Sequence, residues 1–113
     1  MLSSLHSLKQ RIESGNGADR DLDADIEKIL CGPSDHPPDY TASVDRCLEL
    51  LHGVLPNWHW HLGRGATGMM PYATLSKGRT SVSADGTTVP QVLLAVIVRA
   101  LIEQRRRKTA SNQ

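Results

Sequence analysis

Apolar residues recur at helical spacing in three successive stretches, after which the periodicity of the chain changes. Leu5, Leu8 and Ile12 share one face of a first predicted helix, opened by Ser3 or Ser4, whose hydroxyls can accept from free first-turn amides. Gly15, Asn16 and Gly17 end it. Leu22, Ile26, Ile29 and Leu30 form the stripe of a second helix capped by Asp19. Asp21, Asp23, Asp25, Glu27 and Lys28 fall outside that stripe and read as a solvated face. The acidic start suits the positive end of the helix dipole. Gly32, Pro33, Pro37 and Pro38 make residues 31–39 a loop. A third helix, capped by Thr41 or Ser43, turns Val44, Cys47, Leu48 and Leu51 to one side and stops at Gly53 and Pro56.

From Asn57 the period becomes two. Trp58, Trp60 and Leu62 fall on one face of a predicted strand, His59 and His61 on the other, and the tryptophans are expected to fill the core. Residues 63–68, with three glycines, read as a hairpin turn. A second strand covers 70–76, where Pro71 marks an edge or a bulge. Lys77 and Gly78 form a tight turn, 79–83 a third strand, and Asp85 and Gly86 another turn. Thr87 or Thr88 caps the last helix, with Pro90 in its first turn. Residues 92–102 are apolar almost all round, broken only by Arg99, and such a helix needs cover on more than one side. Arg105, Arg106, Arg107 and Lys108 match the negative helix end, and 109–113 are expected to fray. The prediction is an α+β fold: a three-stranded antiparallel meander with N-terminal helices and a long apolar C-terminal helix packed on the sheet. It forms a single domain, with a helical lead-in (1–31), a core (37–104) and a basic tail (105–113).

A chain of 113 residues fits one domain with one modest core. With 39% hydrophobic and 22% charged residues it is globular rather than disordered. There is no Phe, so the aromatic bulk of the core falls to Trp58, Trp60, Tyr40 and Tyr72. A net charge of +1 gives no field that draws the protein to nucleic acid or a membrane. No apolar leader and no run of membrane length are visible, so a cytoplasmic protein with two reduced thiols, Cys31 and Cys47, is expected, a disulfide being the alternative.

Pro-Pro-Asp-Tyr-Thr-Ala-Ser at 37–43 opens a helix, Pro56 precedes Trp58-His59-Trp60, and Thr88-Val89-Pro90 opens a helix holding Ala95, Arg99 and Ala100. With these features, residues 37–103 resemble a family of small phage and prophage proteins described as a phage α-β-α sandwich domain. The resemblance implies a phage or prophage origin and a layered α/β architecture. It carries no catalytic motif, so no functional residue transfers. Small accessory proteins of this kind often act on host defences, which makes a host cytoplasmic location and a role in counter-defence the expectation.

The remaining candidate chemistry is sparse. His59 and His61 share a strand face and can reach one metal ion, but a zinc site needs three or four ligands, and His52, His36 or Cys47 would have to complete it. The glycine-rich 63–68 stretch lacks the Lys-Ser/Thr pair and the following helix of a phosphate loop. Free backbone amides there still make Arg64, Gly65 and Thr67, with Arg79 and Trp60, the preferred anionic-ligand site. The acidic run at 19–27 lacks the glycine and distal glutamate of a calcium loop. No nucleophile motif is present, so no enzyme and no cofactor are expected. The expected function is an accessory binding protein that blocks a host immune protein by direct contact. A sponge for a nucleotide signal and a structural or packaging accessory of the virion are the alternatives. The apolarity of the last helix further suggests a homo-oligomer.

Overall fold

The three N-terminal stripes form α1 (Leu2–Ser14), α2 (Arg20–Leu30) and α3 (Val44–Val54), with a 3₁₀ turn at Tyr40–Ala42 leading into α3. The alternating region forms β1 (His59–Arg64), β2 (Pro71–Lys77) and β3 (Thr80–Asp85), and α4 (Val89–Ser111) follows. The computed structural model describes residues 2–15, 17–65 and 70–111, with side chains through Lys108. The α+β class read from the sequence is the observed one. No described helix is long and apolar enough to cross a membrane.

The caps explain where most helices begin. Asp19 accepts from the Leu22 amide at the start of α2, and Ser43 from the Arg46 amide at the start of α3. Thr88 Oγ1 accepts from the Gln91 amide at the start of α4. Helix α1 departs from expectation: it already includes Leu2, so Ser3 and Ser4 lie inside its first turn. The gain is burial, since Leu2 packs on the core. At the other end α4 continues through Ser111, so residues 109–111 extend the helix rather than fray.

Every residue of α4 from Val92 to Val98 is buried. One side lies over β2 and β3, against Ala73, Leu75 and Ala84; the other meets α1 and α3 through residues such as Leu8, Ile12 and Leu51. The layers are therefore sheet, α4, then the N-terminal helices, with α1 and α2 packed on the core through Leu5, Leu8, Ile12, Leu22 and Ile26. The apolar surface of this helix from Val92 to Val98 is thus covered within the chain.

Two side chains of α4 fasten it to α1. Gln91 Nε2 donates to the carbonyls of Gly15 and of Ile12 (3.1 Å), the latter also accepting from the Gly15 amide at the helix end. Its Oε1 accepts from the Thr87 and Thr88 amides, completing a capping box with Thr88. Gly86 permits this, because a Cβ there would collide with Gln91 Oε1. Arg99 bridges Glu13 on α1 (2.8 and 2.9 Å) and the Ser83 carbonyl on β3 (2.9 Å).

One acidic residue does not belong to the solvated face expected of α2. Asp23 is only 1% exposed. Its Oδ1 accepts from the Thr41 amide at 2.7 Å and its Oδ2 from Arg20 at 2.9 Å. Thr41 Oγ1 in turn accepts from the Asp19 amide at 2.8 Å, and the Tyr40 hydroxyl donates to Glu27 at 2.7 Å. The N-terminal part of α2 is thus bolted to the 3₁₀ turn by a buried carboxylate with its acceptors filled. Thr41 serves this bolt and Ser43 alone caps α3.

The sheet has the order β1-β2-β3 with antiparallel neighbours. Opposed residues share a face. Trp60 and Leu62 therefore line up with Leu75 and Ala73, and those with Val82 and Ala84, on the side toward α4. His59, His61, Tyr72, Thr74, Ser76, Ser81, Ser83 and Asp85 occupy the opposite, polar face. Pro71 was expected at an edge or a bulge; it is buried as the first residue of the central strand, a position where a proline is tolerated.

Replacing Asp23 by Asn leaves the shape but removes the charge-assisted bonds. Urea denaturation should show a loss of about 1–3 kcal/mol. Arg20→Ala should cost at most about 1 kcal/mol, because that guanidinium is mostly in solvent. Equal losses would contradict the bolt as described.

Candidate functional site

The two edges of the sheet differ. Arg99 of α4 occupies the Ser83 carbonyl of β3 and carries Glu13 of α1 with it. Strand β1 has β2 on one side and, among the described residues, no strand on the other. Helix α4 packs on β2 and β3, so the inner face of β1 is left largely open. Trp60 is 42% exposed although it points to the core side, and Leu62 is half-buried. Met70, beside the open hairpin end, is 44% exposed, and its carbonyl accepts from the Gly65 amide at 2.9 Å. The two tryptophans thus part company: Trp58 fills the core as expected, while Trp60 does not.

Charge is also unevenly placed. Nine of the twelve acidic residues lie between Asp19 and Glu49, and none lies between Leu50 and Ala84. The sheet accordingly carries Arg64, Lys77 and Arg79 without a carboxylate of its own until Asp85.

The proposed ligand residues are divided by the register. Arg64 pairs with Pro71 at one end of β2, whereas Lys77 pairs with Thr80 at the other. The intervening strand holds Arg64 and Arg79 roughly 20 Å apart. Trp60, Arg64 and Gly65 lie together along β1, Arg79 sits in the β2–β3 turn, and Thr67 falls outside the described residues. His59 and His61 lie on the polar face, His61 tilted against Tyr72 with ring centres 5.9 Å apart. The Tyr72 ring passes over Gly63, where any Cβ would meet it at about 3 Å. Cys47 is buried, its thiol 3.1 Å from the Tyr40 carbonyl that it donates to. No three metal-ligating side chains gather among the described residues.

The perturbed thiols and phenol move away from nucleophilic reactivity. Burial pushes the Cys47 thiol up to about 12, with Asp23 and Asp39 adding to the effect. Burial, then the Glu27 carboxylate, raises Cys31 and Tyr40. A reactive thiol needs the opposite shift, toward the thiolate.

Several concavities open among the described residues, two of which bear on function. A groove of about 300 Å³ between the four helices is lined by Leu5, Ile29, Leu30, Val54, Leu101 and Arg105. A pocket of about 330 Å³ lies where the start of β1, the β2–β3 turn and the end of α4 meet. Its wall includes Trp58, whose Nε1 is the buried side-chain polar atom left without a hydrogen-bond partner among the described residues. Lys77 lies in the tight turn expected from the sequence and Arg107 at the basic helix end, and the folded chain brings them to one pocket. No family model, curated protein or solved structure matches this chain.

The thiol shift fixes a pH dependence. Cys47 stays protonated in the folded chain while the unfolded thiol ionises near 9.0. Stability from this group is complete below pH 9 and is lost as pH rises toward 12, at a slope approaching about 1.4 kcal/mol per pH unit. Cys47→Ala should lower stability at neutral pH yet flatten this alkaline slope in urea titrations. An unchanged slope would remove the assignment. In native protein, a thiol reagent should modify Cys31 alone, and slowly.

Proposed function

We propose that this chain is a non-catalytic binding protein that takes an extended segment of a partner protein as a fourth strand on the free edge of β1. The observation that carries the reading is an open edge strand with an uncovered apolar inner face bearing Trp60. Unpaired strand amides and carbonyls supply affinity to an added strand, and an exposed aromatic supplies an anchor. The absence of carboxylates between Leu50 and Ala84, beside Arg64, favours an acidic partner segment. The raised thiols and phenol support the non-catalytic part of the reading. Through the resemblance of residues 37–103 to phage and prophage proteins, the partner we propose is a host immune protein, blocked by contact in the host cytoplasm. Separation of Arg64 from Arg79 weighs against a nucleotide sponge built on that set.

A photocrosslinking residue at His61, with His52 on α3 as control, tests this in infected host cells. The expected adduct joins His61 to a host defence protein, is absent from His52, and disappears in Trp60→Asp. Trp60→Asp itself should change stability by no more than about 1 kcal/mol. In the reconstituted complex, amides of residues 59–64 should gain protection from hydrogen exchange. Adducts that survive Trp60→Asp overturn the docking surface. Adducts only with virion proteins, or only with another copy of the chain, overturn the partner assignment.

A further inference from the structure

The β2–β3 turn and the basic end of α4 are far apart in sequence, and each alone reads as solvated surface. In the fold they close around Trp58, in the pocket lined by Trp58, Lys77, Gly78, Thr80, Gln104 and Arg107. Its volume of about 330 Å³ lies at the small end of the range for organic ligands. The lining combines one aromatic ring, the aliphatic stems of three long polar side chains and two cations, and contains no carboxylate. The nearest acid on α4, Glu103, holds Arg107 Nε at 3.2 Å and so fixes that guanidinium near the pocket.

Trp58 supplies the second observation. It is 9% exposed, and its indole N–H has no acceptor among the described residues. A phenyl ring would fill the same apolar space without a stranded donor, and buried donors are costly to leave unpaired. The N–H itself is closed to solvent, so Trp58 meets the pocket through its other atoms.

We propose that this pocket binds a small organic anion with a flat apolar body. Lys77 and Arg107 hold the charge, and the Trp58 ring packs against the body. The site is separate from the free edge of β1, and it stands whether or not that edge binds a partner.

The two tryptophans give two indole N–H signals in a proton–nitrogen correlation spectrum, and Trp60→Phe assigns them. Naphthoate, with benzoate as the smaller flat anion, should shift the Trp58 signal saturably and leave the Trp60 signal in place. Lys77→Glu and Arg107→Glu, both at exposed positions, should each weaken binding at least tenfold while preserving the rest of the spectrum. Naphthamide, the uncharged counterpart, should bind at least tenfold more weakly than naphthoate. A Trp58 signal unmoved by either anion overturns the proposal. So does equal affinity for naphthamide, unchanged affinity in the charge-reversed variants, or a response confined to Trp60.

Discussion

A helix that is apolar on every side must be covered on every side, and that requirement on α4 organises the rest of the molecule. The sheet satisfies one half through Ala73, Leu75 and Ala84; α1 and α3 satisfy the other through Leu8, Ile12 and Leu51. One helix is too narrow to cover all three strands of the sheet. Its β3 edge is tied down by Arg99, and the mismatch emerges at β1 as an exposed Trp60. The most exposed apolar surface of the sheet is thus a by-product of how the core is closed.

Polar groups then fix what apolar packing leaves free to slide. Apolar contact is non-directional and would tolerate small shifts of α1 along α4. Gln91 removes that freedom by donating to the last carbonyls of α1 while its other end caps α4. Asp23 acts likewise between α2 and the 3₁₀ turn. Both act at helix termini, where unpaired backbone groups are available to be used.

The elements were largely legible because local rules place them. Leu5, Leu8 and Ile12 mark α1, Asp19 and Ser43 cap their helices, and alternation marks β1. Gln91 carried a readable signal too, since Thr88-Val89-Pro90-Gln91 has capping-box spacing. Asp23 carried none: it sits among like residues, and the amide it accepts from is eighteen positions later. Alternation likewise assigned Trp60 to the inner face correctly but cannot say that β1 is an edge beyond the reach of α4. The candidate ligand set is divided by register, which puts Arg64 and Arg79 at opposite ends of β2. The Trp58 pocket was invisible for the same reason, because it joins residues 58, 77, 104 and 107.

The place of α4 in the chain has a consequence for biogenesis. Nearly every layer packs on the one element that follows all of them in sequence. A ribosome adding about 5–20 residues per second needs roughly 4–17 s to pass from the start of α1 to the start of α4. Throughout that interval the stripes of α1 and α3 and the inner face of the sheet have nothing to close against. The nascent chain therefore presents its future core to chaperones and proteases until α4 emerges, and folding then proceeds as one late, cooperative event rather than segment by segment.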